Sequence, residues 1–247
     1  MRCTELKKCR RVGALATGAR HAFRQGREGL RDVFASVHNP PLITPPRTRK
    51  AAEDAADDVE EVERLRADVI NLSGSLETLR STLASYYRAL CAMESRFPLS
   101  KSGSGVRLSL AWYDAFRPTK RTEQASLALE KAAVLFNAAA VQSQIALACD
   151  RKTDAGLKDS ARAFQEAAGL FALLKTDASL SVERPSPVDL LPETADMLEK
   201  LMLAQAQECV YEKALADGKS AALLARLACQ VARYYDECGR LLRAGPL

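Results

Sequence analysis

LEKAAVLFNAAAVQSQIA, residues Leu129–Ala146, is the stretch whose reading decides the fold. Apolar residues fall on nearly every side of a helix drawn through it: Leu129, Val134, Leu135, Phe136, Val141 and Ile145, with alanines between. A helix that is hydrophobic all round is a central one, covered by neighbours rather than by water. The alanines let those neighbours come close. Asn137, Gln142 and Gln144 interrupt the run, so it falls short of the ~18–20 apolar residues that would cross a bilayer. The helix is expected over residues 123–149, and everything after Thr122 reads as helical.

Working outward from this helix, a short break at Asp150–Asp154 leads to a second one, with Leu157, Ala161, Phe164, Ala168 and Phe171 in a row. Two long helices joined by so short a loop must be antiparallel neighbours. Residues 177–192 carry Pro185, Pro187 and Pro192 and are expected to form a loop. Helices follow over Glu193–Ala216 and Ser220–Arg243. The last has a core stripe of Leu224, Val231, Tyr235, Cys238 and Leu242, which leaves Leu223 off the core.

Upstream, Val106, Leu108, Leu110 and Trp112 alternate with Arg107, Ser109, Ala111 and Tyr113, the one clear strand pattern. Its partner strand is not visible. Before it, Ser75 is placed to cap a helix with Leu76, Leu79, Leu83, Tyr86/Tyr87, Leu90 and Met93 on one face, closed by Pro98. Val59, Val62, Leu65, Val69 and Leu72 mark an amphipathic helix before that, and its acidic face reads as solvated. The fold class is therefore mainly α: antiparallel helical hairpins with a small accessory β segment. No strict sequence period supports a true repeat array.

The net charge of +5 over 247 residues is unevenly placed. Residues 1–50 hold twelve Lys or Arg against three Asp or Glu, with Pro40, Pro41, Pro45 and Pro46. They read as a basic, poorly ordered leader, with spacing that allows one helix over Leu15–Val37; the helical domain occupies residues 51–247. Such a start has the composition of an organelle transit peptide and would attract an anionic membrane surface, although a solvated tail is the plainer expectation. It lacks interleaved aromatics, so no nucleic-acid partner is expected.

Composition excludes several kinds of chemistry. The two histidines, His21 and His38, both lie in the leader, so the helical part has no Ser-His-Asp or Cys-His arrangement and no His-based metal site. The seven cysteines are odd in number and contain no C-x-x-C, which points to neither a disulfide framework nor zinc, and a reducing cytosol fits best. Gly218-Lys219-Ser220 has the end of a phosphate-binding loop but not its earlier glycine, since position 213 is Lys, and a helix rather than a strand precedes it. Gly103-Ser104-Gly105 is a turn. No cofactor, metal, small-molecule substrate or catalytic residue is expected. An enzyme using carboxylates or a cysteine is the remaining catalytic reading. Trp112 reads as a core anchor, and each of the pairs Tyr86-Tyr87 and Tyr234-Tyr235 as one core ring and one rim ring.

Five ordered stretches resemble one family. Leu129–Ala146 resembles the signature helix of the Bro-one domain, known from Alix and rhophilin. SYYRALCAMESRFPL (Ser85–Leu99), LSLAWYDAF (Leu108–Phe116), CDRKTDAGLKDSARAFQEAAGLFALLK (Cys149–Lys175) and MLAQAQECVYEKAL (Met202–Leu215) support it in order. The resemblance covers roughly Val59–Leu242, not the leader. It implies a helical domain with a tetratricopeptide-like core and a small sheet near its start. The family domain runs several helices beyond the position of Leu247, so a domain incomplete at its C-terminal end is implied.

The resemblance also implies a role: a non-enzymatic adaptor, cytoplasmic and peripheral on endosomes, that binds the C-terminal amphipathic helix of an ESCRT-III core subunit in the multivesicular-body pathway. The alternative is a rhophilin-like Rho-signalling scaffold. The family's groove positions fall on Val210, Leu223 and Leu227, with an acidic position at Asp154. Val210 stands where animal members often carry Phe. Leu223 and Leu227 are i and i+4 and share a helix face. The basic leader would add contact with the anionic endosomal membrane.

Overall fold

The computed structural model describes residues 60–70, 74–96, 110–124 and 126–245. They form α1 (60–70), α2 (Leu76–Arg96), β1 (Leu110–Tyr113), β2 (Arg121–Gln124), α3 (Leu127–Ala148), α4 (Asp154–Leu173), α5 (Pro192–Ala216) and α6 (Ala221–Ala244). The expected leader, its helix over Leu15–Val37, and the start of the expected strand at Val106 lie outside the described residues.

Local chemistry sets most helix starts. Ser75 accepts from the Thr78 N–H at 3.1 Å, Ser126 from Ala128 at 3.2 Å and Thr153 from Gly156 at 3.0 Å, each satisfying a donor the helix leaves unpaired. Pro192 occupies the first turn of α5, where its missing N–H costs nothing. Gly218, at φ 63°, ends α5. There the Lys219 N–H reaches the Ala214 carbonyl and the Gly218 N–H the Leu215 carbonyl, a paired closure that turns the chain straight into α6. Gly218-Lys219-Ser220 is thus a helix-to-helix turn, with Ser220 capping α6.

α3 is the centre of the core. Leu129, Ala132, Leu135, Phe136, Ala139 and Ala146 are all buried. Phe136 meets Trp112, Phe116 and Phe171 edge-on at centroid distances of 6.2, 6.4 and 5.9 Å. α2 packs on it through Tyr86, whose hydroxyl donates to Glu130 at 2.8 Å, and α1 adds Arg66 to the same carboxylate at 3.3 Å. Tyr86 is buried and Tyr87 half-buried, so that pair divides as expected. Tyr234 and Tyr235 are both half-buried.

α4 and α5 run antiparallel. Arg151 and Asp154, at the start of α4, meet Glu212 and Lys213 near the end of α5, while Lys175 beyond the far end of α4 meets Asp196 at 2.9 Å. α6 returns along α5, held by the Tyr235 hydroxyl donating to Glu208 at 3.1 Å.

Three expectations need correction. The helical reading after Thr122 is wrong at its start: Arg121–Gln124 is a strand, paired antiparallel with β1 from Leu110↔Gln124 to Tyr113↔Arg121. Its sequence, RTEQ, has no apolar alternation because it is the polar edge of a two-stranded ribbon. The loop expected over 177–192 is shorter, since α4 continues through a π turn (Leu174–Ala178) into a last α turn (Ser179–Ser181). Leu174 and Ala178 are buried on the core, and that packing outweighs the polar composition of the segment. In α6, Leu224, Val231, Tyr235 and Leu242 are only half-buried, and Cys238 is the one fully buried member of the expected stripe. α6 packs chiefly on α5, and one neighbour cannot cover a whole stripe.

Candidate functional site

An open groove of about 510 Å³ crosses the outer faces of α4, α5 and α6. Leu157 and Ala161 come from α4, Cys209, Val210 and Ala214 from α5, and Leu223 and Leu227 from α6. The paired closure at Gly218 builds it by folding the first turns of α6 back beside the last turns of α5. The Leu223 N–H also receives the cap from Ser220, so the anchor sits in a turn whose backbone is fixed.

The floor and rim differ in chemistry. Cys209 is buried and donates its thiol to the Ser160 hydroxyl at 3.4 Å, and Ser160 in turn donates to the Ala146 carbonyl at 2.9 Å. Burial raises the Cys209 thiol, so it is a neutral floor residue and not a nucleophile. Val210 is 38% exposed, and Leu223 and Leu227 are half-buried. The rim carries Lys158, Arg162, Lys213 and Lys219, against Asp217.

The four positions implied at the sequence level divide into two groups. Val210, Leu223 and Leu227 line the groove together, contributed by two helices. Asp154 does not line it. It stands at the first turn of α4, bonded to Lys158 at 2.7 Å and to Lys213, and Lys213 reaches Asp217 at 3.1 Å. Hydrogen bonds from Lys158 and Lys213 hold the Asp154 carboxyl down at about 2. Asp154 thus fixes two of the rim ammonium groups. The α4 wall was not identified from sequence, although the Leu157–Ala161 spacing was a visible signal. Those residues read as core, and Ala161 serves both faces.

Among the described residues no cluster of His, Cys, Asp and Glu could hold a metal ion. None of the described helices is long and apolar enough to cross a membrane.

The profile of the BRO1-like domain family matches residues 44–246. Vacuolar-sorting protein BRO1 of Arabidopsis thaliana is 39% identical over 220 residues, which is 87% of this chain and 26% of that protein. ALG-2 interacting protein X of Dictyostelium discoideum is 43% identical over 183 residues, 74% of this chain and 23% of that one. Among solved structures, the ALIX BRO1 CHMP4C complex superposes with a TM-score of 0.72 at 30% identity, covering 90% of this chain and 60% of that chain. The chain spans about a quarter of the length of these two curated relatives.

Proposed function

The chain belongs to the BRO1-like domain family, and on that premise we propose that it is a non-enzymatic adaptor of endosomal sorting, cytoplasmic and peripheral on endosomes. Its groove takes the C-terminal amphipathic helix of an ESCRT-III core subunit, in the multivesicular-body pathway. The observation that carries this reading is the convergence of Val210, Leu223 and Leu227 on one open apolar groove. Helix-in-groove recognition needs apolar anchors repeated at one-turn spacing, and Leu223 and Leu227 provide a complementary pair. A polar rim around an apolar floor is the usual anatomy of such a contact.

Magnitudes agree with a transient contact. Three anchors at roughly 1.5–3 kcal/mol each supply about 4.5–9 kcal/mol before the cost of ordering the partner, so they favour a contact no tighter than micromolar, which corresponds to about 8 kcal/mol. The relatives' names, a vacuolar-sorting protein and a structure of ALIX BRO1 with CHMP4C, favour this reading over the Rho-signalling alternative. The basic leader would add attraction to an anionic endosomal surface.

Calorimetry with a synthetic peptide of an ESCRT-III C-terminal helix tests it. Micromolar binding supports the assignment, and no measurable heat at millimolar peptide removes it.

A further inference from the structure

The hairpin is fastened to the α4–α5 connection by two buried carboxyl groups that exchange backbone bonds. Asp189, in the short 3₁₀ turn Val188–Leu190, is 0% exposed. Its Oδ2 accepts from the Trp112 indole N–H at 2.8 Å and from the Ala115 N–H at 2.7 Å, both on the hairpin. Asp114, on the hairpin, reciprocates. Its Oδ2 accepts from the Val188 N–H at 2.8 Å and the Asp189 N–H at 3.4 Å. Its Oδ1 accepts from Phe116 and Arg117 N–H groups at 2.8 Å each. Asp189 Oδ1 is buried and has no hydrogen-bond partner among the described residues.

Among the described residues no cation acts on Asp189. Asp114 is the titratable group facing Asp189 across the contact. Arg117 and Lys120 on the hairpin turn are exposed, as are Arg184 in the connection and Glu193 at the start of α5. α5 contributes Thr194, a hydroxyl donor to the Val188 carbonyl at 2.6 Å, and α3 contributes the ring of Phe136 against Trp112. Two buried carboxyl groups without a cation cannot both carry charge cheaply.

We propose that Asp114 and Asp189 form a pH-sensitive latch: Asp189 holds a proton while the hairpin is docked on the α4–α5 connection, and losing that proton loosens the dock. The proton belongs on the side chain whose second oxygen has no N–H donor, since an acid oxygen without a donor is better neutral than charged. Burial first, and the Asp114 carboxylate second, push the Asp189 acid up to about 7, against the pull of the Ala115 and Trp112 N–H groups. The folded chain therefore keeps a proton that the unfolded chain releases near its ordinary value of 3.8. The latch's contribution to stability is complete below that lower value and is lost as pH rises through about 7.

The chain's one tryptophan reports on this directly, because its indole N–H lies on the ionising group. In the full chain, Trp112 emission recorded from pH 5 to 9 is expected to change with a midpoint near 7 while far-UV circular dichroism stays constant. The hydrogen-exchange protection factor at Ala115 is expected to fall about tenfold or more between pH 6 and 8. Asp189→Asn should abolish both changes. Asp114→Asn, which removes the repelling charge and provides a second test should Asp189→Asn not fold, should lower the midpoint. An emission flat across this range, a transition that survives Asp189→Asn, or a midpoint unmoved by Asp114→Asn would overturn the proposal.

Discussion

Lys213, one turn from the end of α5, bonds Asp154 at the start of α4, closing a gap of 59 residues in the chain. Lys158 shares the same carboxylate at 2.7 Å. The cluster is exposed, so water and salt screen it and its share of stability is small. Its pH dependence has a definite sign. A carboxyl held at about 2 in the folded chain, against 3.8 otherwise, stabilises above the higher value and loses that contribution as pH falls through the lower. Asp154→Asn is therefore expected to lower the thermal midpoint slightly at neutral pH, by the same small contribution that acid removes from the parent. It should also make the fall in stability between pH 4 and pH 2 shallower, measured by denaturant titration at both values.

Gly218 reaches φ 63°, a conformation in which a side chain's Cβ crowds its own carbonyl, although no neighbouring atom lies within 4 Å of the added Cβ. The strain is local to the backbone. Gly218→Ala is expected to cost about 1 kcal/mol in urea denaturation, with unchanged helix content.

Gly156 is tight for a different reason. A Cβ there would sit 2.0 Å from the Asp150 carbonyl oxygen, which is main chain and cannot rotate away. Gly156→Ala must move the α3–α4 connection and the Thr153 cap with it. The expected loss is about 2 kcal/mol or more, seen as a lowered urea midpoint with an unchanged slope.

Leu223→Asp and Leu227→Asp place a charge on the groove wall at half-exposed positions. The fold has little reason to object, so the circular dichroism and thermal midpoint should stay close to those of the parent. Peptide affinity should fall tenfold or more for each, the equivalent of about 1.4 kcal/mol. Equal affinity of parent and both variants for the peptide would place the contact elsewhere on the chain. Val210→Phe should act in the opposite sense, adding apolar area at the exposed wall and tightening the same complex by a few-fold.

Particular residues show where sequence reading reached its limit. Ser75, Thr153 and Ser220 cap helices through atoms within three residues, so position along the chain sufficed to place those helix starts. Leu223 and Leu224 are neighbours in sequence, and the helical period separates them by a third of a turn. That let Leu223 be read as off the core, although the same reasoning overstated how well Leu224 is covered. Arg121–Gln124 carried no signal at all. A polar edge strand takes its conformation from the partner it pairs with.

The sequence alone determined the order and periods of the helices, the central place of Leu129–Ala146 and the lack of histidine chemistry in the helical part, because each follows from composition or from spacing within a few residues. Only the tertiary structure decided that Leu157 and Ala161 wall the same groove as Leu223, and that Asp114 lies against Asp189. Those meetings join residues from about 60 to 75 positions apart. Which distant groups meet depends on how helices stack and turn, and no local period encodes that.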